Sequence, residues 1–218
     1  MTTSRTKLDM TMMFAVHDAL RRDVRAIEAI AHRTDDPQQV LRTAVGWELF
    51  KRFLHVHHTT EDIAIWPVMS GKLTDRPGDL ALLDAMEQEH ARIDPLLAAI
   101  DAALADRDHG HERIGGLADA LTTELTGHLT HEESDTLRLI DDVMTEEEWE
   151  RFAELHRDKI GADGPRYMPW VLEEGDPVHV QAIMGRFPKP LQDAYRDAWA
   201  PQFAALRRWE GTAESEQD

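Results

Sequence analysis

His57-His58-Thr59-Thr60-Glu61-Asp62 and His128-Leu129-Thr130-His131-Glu132-Glu133 are two versions of one pattern: His-x-x-x-Glu with a second carboxylate directly after the first. In a helix, positions i and i+4 lie one turn apart on the same face. Each pattern therefore aims an imidazole and a carboxylate in one direction. Each also follows a lone histidine in a helical pattern. His17 stands 40 residues before His57, and His90 stands 38 before His128. The chain reads as histidine, His-x-x-x-Glu, then the same again. Four imidazoles and two carboxylates from four helices are enough to hold a pair of metal ions.

The apolar periods around these patterns define the helices. Met13, Val16, Leu20, Val24, Ile27 and Ile30 predict a first helix over about 9–33. Asp36-Pro37 is a start signal, with the aspartate as N-cap and the proline in the first turn. That second helix carries Trp47, Phe50, Leu54 and the first pattern, and Trp66-Pro67 and Ser70-Gly71 mark its end. A third helix runs over about 79–106, with Pro95 one turn after His90, where a kink is expected. A fourth runs over about 111–143 and carries the second pattern. Short connections make consecutive helices antiparallel neighbours. The expected fold class is all-α, an up-down-up-down four-helix bundle over 1–144 with its ligands facing the core.

After Met144 the pattern changes. Thr145-Glu146-Glu147-Glu148 reads as a capping box that opens a fifth helix through Trp149, Phe152 and Leu155. Gly161-Ala162-Asp163-Gly164-Pro165 reads as a loop, and a last helix is expected over about 191–209. Residues 145–218 are expected to form a C-terminal helical extension packed on the bundle, with a disordered tail from about 211.

The chain carries 42 acidic against 24 basic residues, a net charge of −18. Nucleic acid and anionic membranes both require a basic footprint, so neither is an expected partner. Cysteine is absent, which excludes disulfides and thiolate ligands and fits a reducing, cytoplasmic setting. The start MTTSRTKLDM lacks an apolar signal core, and the apolar run 63–69 is too short to span a bilayer. Neither a Gly-rich phosphate loop nor a His-Glu-x-x-His zinc motif is present. Imidazole and carboxylate together suit iron, manganese or zinc. Such a cluster in a bundle core is costly without a bound ion.

Over about 9–143 the chain resembles the hemerythrin-like family, the cation-binding HHE domain. The resemblance is carried by His17, His57 with Glu61, His90, and His128 with Glu132. The segments Glu61-Asp62-x-x-x-Trp66-Pro67 and Glu89-His90-Ala91-Arg92-Ile93-Asp94 also resemble family segments. It implies two iron ions in a non-haem di-iron centre, with the histidines as terminal ligands and Glu61 and Glu132 as bridges. Dioxygen, peroxide or nitric oxide is the implied small ligand. Oxygen-carrying members have a fifth histidine, paired His-x-x-x-His on the third helix. Here the positions one turn from His90 hold Met86 and Asp94. A four-histidine set leaves room for an extra oxygen ligand or an open position, and the open position points towards peroxidase-, catalase- or oxidase-like chemistry. Non-catalytic binding or sensing of oxygen, nitric oxide or iron is the alternative.

Six further residues surround these ligands in the sequence. His58 and His131 lie inside the patterns but off the ligand pairs, as alternative ligands or proton relays, or as partly exposed flank residues. Asp62 and Glu133 either orient ligand imidazoles or are solvated. Asp94 reads as surface. Tyr167 is placed to reach over the site from the extension. Met12, Met13, Met86, Trp47 and Trp66 read as core packing.

Overall fold

The computed structural model describes residues 6–33 and 36–211. The expected tail falls, after Gly211, outside the described residues. Among those residues every regular element is helical, and there is no strand.

The first helix, α1, spans Thr11–Ala31 and buries Met13, Val16, His17, Leu20, Val24 and Ile27 at three- and four-residue intervals. The second expected helix is three segments: α2 (Pro37–Thr43), α3 (Val45–Ala64) and α4 (Trp66–Lys72). Asp36 caps α2 as expected, its carboxylate accepting from the Gln39 N–H. The first break, at extended Ala44, admits the end of the chain. The Gly46 N–H donates to the Arg208 carbonyl at 2.9 Å. A Cβ on Gly46 would lie 2.8 Å from the Trp209 ring, so the crossing requires glycine there. The second break follows from Pro67, which has no N–H and clashes with the preceding turn. The chain bends at Ile65 and resumes at once, with Pro67 in the first turn of α4.

Helix α5 runs unbroken over Pro77–Ala105, through Pro95. Helix α6 (His111–His131) continues through a wider π-turn, Glu132–Thr136, into α7 (Leu137–Val143). Capping-box hydrogen bonds between Thr145 and Glu148 start α8 (Glu146–Ile160). The stretch expected as a loop is a short 3₁₀ turn, Gly161–Asp163, and the start of α9 (Gly164–Leu172), because Pro165 suits the first turn of a helix. Helix α10 spans Pro177–Arg186. The expected last helix begins earlier, as α11 (Lys189–Ala194). It widens in a π-turn, Tyr195–Trp199, and ends early with α12 (Ala200–Ala204).

Helix α1 packs on α6, α5 on α6, and α3 on α8, while α9 and α10 lie against α1. The apolar interior divides into two clusters. One holds Leu20, Phe53, Ile93, Leu125 and Leu129; the other holds Met13, Ile65, Met86 and Leu137. Each ligand-bearing helix passes from one cluster to the other at its predicted ligands. His17 lies between Met13 and Leu20, His57 and Glu61 between Phe53 and Ile65, and His90 between Met86 and Ile93. His128 and Glu132 lie between Leu125 and Leu137. The polar layer is thus clamped by close-packed apolar layers on both sides.

The segments after α8 are tied to α1 by a buried charge. Asp23 is fully buried and accepts from Trp170 Nε1 at 2.7 Å, Arg22 Nε at 3.0 Å and Arg208 Nη2 at 3.1 Å. Arg22 also donates to the carbonyls of Trp170 and Glu173. Asp23→Ala leaves two guanidinium groups and an indole N–H without their shared acceptor. It should cost about 3–5 kcal/mol, the usual penalty for breaking a buried ion pair from one side. Urea unfolding of the variant against the parent chain measures this, and a loss below about 1 kcal/mol, the range of surface pairs, would show that the network is not structural.

Candidate metal centre

The structure gathers the six predicted ligands into one buried layer and adds a seventh group. His17, His57, Glu61 and Glu132 each place a ligand atom within 4.8 Å of the others, and so do His58, His90 and His128. All seven are buried.

The imidazoles meet in pairs. His17 Nε2 lies 3.1 Å from His57 Nε2, and His90 Nε2 lies 3.1 Å from His128 Nε2. The carboxylates lie across the pairs. Glu61 Oε1 is 3.3 Å from His57 Nε2, and its Oε2 is 3.6 Å from His90 Nε2. Glu132 Oε2 is 3.3 Å from His17 Nε2 and 4.0 Å from His128 Nε2. Both oxygens of Glu61 and both of Glu132 lack a hydrogen-bond partner, as does His58 Nε2. Unpartnered acceptors buried in this way are costly unless a cation supplies the missing interaction.

Three outer carboxylates fix the rings. Glu133 Oε1 lies 2.9 Å from His17 Nδ1, Asp62 Oδ1 lies 2.9 Å from His90 Nδ1, and Glu89 Oε2 lies 3.0 Å from His128 Nδ1. A carboxylate at Nδ1 draws the proton there and leaves the Nε2 lone pair free. His90 and His128 then point lone pairs at each other across 3.1 Å. That arrangement is repulsive until a positive ion enters it.

The charge states agree at three of the imidazoles, whereas at His17 burial is outweighed by Glu132 and Glu133, which raise it. Burial, then neighbouring imidazoles, push His57 and His58 well below the usual histidine range. Burial also lowers His128, against its hydrogen bond to Glu89. Neutral imidazoles are the form a metal requires. Burial, with Glu132 and Asp62 nearby, pushes Glu61 well above the usual carboxylate range. Against burial, the neighbouring His17 imidazole holds Glu132 below its ordinary value. Hydrogen bonds from His17 and Arg21, opposing burial, hold Glu133 at about 2.

The π-turn explains how adjacent glutamates serve different partners. The Leu137 N–H donates to the Glu132 carbonyl, five residues back. This wider turn lets Glu132 face the cluster while Glu133 reaches α1, where it also accepts both Arg21 Nη1 and Nη2. Inserted turns of this type are frequent at functional sites.

Of the outlying residues, Asp62 and Glu133 lie within hydrogen-bond distance of His90 Nδ1 and His17 Nδ1. His131 is partly exposed, its Nδ1 2.9 Å from Glu89 Oε1. Of the two readings of His58, the partly exposed flank does not hold. It is buried and stacked on His90, with ring centroids 3.9 Å apart. Asp94 is exposed and outside both groups. Tyr167 is buried against Phe53, His156 and Trp170, not among the ligand groups. Glu89 was missed by the sequence reading. Its signal was adjacency: it precedes His90 as Asp62 follows Glu61 and Glu133 follows Glu132.

Two sets of variants check this geometry. Glu61→Ala and Glu132→Ala should each lose metal from both halves of the layer. His58→Ala should lower metal content while His131→Ala leaves it nearly intact. Elemental analysis of the purified variants decides, and unchanged metal in His58→Ala would return His58 to a packing role. A third variant tests burial near the site. Burial, then Lys159 and Arg157, lower His156 from 6.5 to about 4. Its neutral form is favoured by folding, so its contribution is complete above pH 6.5 and is lost as pH falls towards about 4. Urea midpoints of His156→Gln should depend less on pH across that window than those of the parent. Equal slopes would refute the assignment.

The family model described as the Hemerythrin HHE cation binding domain matches residues 9–140. No curated protein and no solved structure matches the chain.

Proposed function

The chain belongs to the hemerythrin HHE cation-binding family, and from that premise we propose that its centre holds two iron ions and reacts with peroxide or dioxygen. The observation that carries the reading is the facing Nε2 pair of His90 and His128, each ring with a carboxylate at Nδ1. Glu61 and Glu132, lying across the imidazole pairs with unpartnered oxygens, support two ions bridged by carboxylates. The short helix connections support an up-down-up-down order for the four ligand-bearing runs. Cysteine-free composition supports a cytoplasmic setting.

In this reading His17 and His57 would hold one ion, and His90 and His128 the other, with His58 beside the second pair. His58 would supply a fifth imidazole from α3, in place of the one that α5 lacks at Met86 and Asp94. A bound iron pair supplies electrons and Lewis acidity to a small oxidant. The protein's part is to orient the ligand rings, exclude water and move protons. Glu133, fixed by Arg21, orients His17, and Asp62 orients His90. Glu89 bridges buried His128 to partly exposed His131, a hydrogen-bonded route from solvent to the layer. Peroxide reduction consumes protons, whereas carriage of oxygen needs none, so this route favours turnover. Burial of every ligand favours the second reading, a protein that holds or senses oxygen, nitric oxide or iron without turnover.

Protein made with ample iron should contain two irons per chain and release oxygen from, or reduce, hydrogen peroxide catalytically. His90→Ala, emptied of iron, serves as the control. A reproducible single metal per chain would refute the paired centre. Stable, reversible oxygen uptake without peroxide consumption would favour the carrier or sensor.

A further inference from the structure

Asp62 Oδ1 has two neighbours. It lies 2.9 Å from His90 Nδ1 and accepts the Trp66 indole N–H at 3.1 Å. The Trp66 ring is fully buried, its centroid 6.2 Å from that of the His90 imidazole. A single carboxylate oxygen therefore joins a ligand imidazole to an indole.

The three outer carboxylates differ in what stands behind them. Behind Glu133 is the Arg21 guanidinium, and behind Glu89 is the His131 imidazole. Neither gives up an electron readily. An indole does, and a carboxylate held at its N–H offsets the positive charge left on the ring, most effectively where water is excluded. On its other side Trp66 shares an apolar cluster with Met10, Met13, Met69, Met86 and Met144, five of the chain's 9 methionines, and with Phe152. These thioethers are polarizable. Phe152 lies 4.9 Å, centroid to centroid, from Trp149, which is half-buried at the surface. The sequence pattern Glu61-Asp62-x-x-x-Trp66-Pro67 thus does more than end a helix.

We infer that Trp66 is an electron relay between the protein surface and the metal centre, coupled to it through Asp62 and His90. The inference rests on the iron reading above. In the step, a metal ion oxidised by peroxide takes one electron from the indole π-system, which a resting ferric ion is too weak an oxidant to do. No covalent bond forms or breaks, and the Nε1 proton stays in its hydrogen bond to Asp62. A one-electron donor at the surface then returns an electron to the ring, so the sum is one metal ion reduced and one donor oxidised. If Trp66 only packs and Asp62 only orients His90, changing the indole alters metal content but not the reduction rate per bound iron.

The test uses iron-loaded full-length protein treated with one equivalent of hydrogen peroxide. It is mixed with ferrocyanide as the surface donor, and decay of the peroxide-oxidised absorption is followed by stopped flow. Trp66→Phe with undiminished iron should slow the reduction on the order of tenfold or more, ~1.4 kcal/mol in barrier. Trp66→Tyr, which keeps an oxidisable ring, should recover part of the rate. Because Trp66→Phe leaves space in a packed core, fluorotryptophan placed at position 66 is the second arm. It keeps the shape, makes the indole harder to oxidise and should also slow the reduction. Freeze-quenched electron paramagnetic resonance of peroxide-treated protein should show a tryptophan radical that is lost in Trp66→Phe. Equal rates per bound iron in the parent and both altered proteins, or a radical that persists in Trp66→Phe, would overturn the relay. Protein that consumes peroxide at a rate independent of Trp66 would fail the relay alone, and protein inert to peroxide or without redox-active metal would overturn both.

Discussion

Imidazole lone pairs that face one another inside a dry core are the constraint on which this structure turns. Carboxylates at the Nδ1 atoms of His90 and His128 fix both rings with their free lone pairs 3.1 Å apart. Nothing in a protein interior relieves that opposition as well as a cation. The same holds for Glu61 and Glu132, whose oxygens lie beside the rings without hydrogen-bond partners. The layer is strained towards metal, and metal binding is the property the family match and the geometry share.

The remainder of the fold holds that layer in place. Apolar clusters above and below it prevent the helices from parting to let water relieve the charges. Helix α1 carries His17 and Arg21 and is gripped from outside by α9 and α10. Buried Asp23, two turns beyond His17, is the point where α1 meets Trp170 and Arg208. The region after Met144 therefore bears on the position of a ligand helix although it supplies no ligand to the cluster.

Much of this was legible in the chain because helical periodicity and i, i+4 spacing are local. His17, His57, Glu61, His90, His128 and Glu132 all followed from spacing, with the resemblance assigning their roles, and all lie in the buried layer. The capping box at Thr145 and the N-cap at Asp36 are likewise local, and both formed. The helix interruption at Ala44 was not legible, since its cause is the passage of Arg208 and Trp209, more than 150 residues away in sequence. Spacing left two readings of His58 open for a related reason. Adjacent helical residues point about 100° apart, so spacing assigns only one of them to a face. Two neighbouring helices approaching from different sides buried both His57 and His58.

The sequence by itself determined the helical periods and the spacing that sets the six candidate ligands on one face of each helix, because each depends on contacts within a few turns. Tertiary structure alone decided which imidazole faces which, and at what distance. It also decided that Glu133, Asp62 and Glu89 serve His17, His90 and His128, pairings that span 116, 28 and 39 residues. Those partners lie on different helices, and no periodicity in one helix specifies the register of another. Register is set by how side chains of the two apolar clusters interlock, a property of the assembled core.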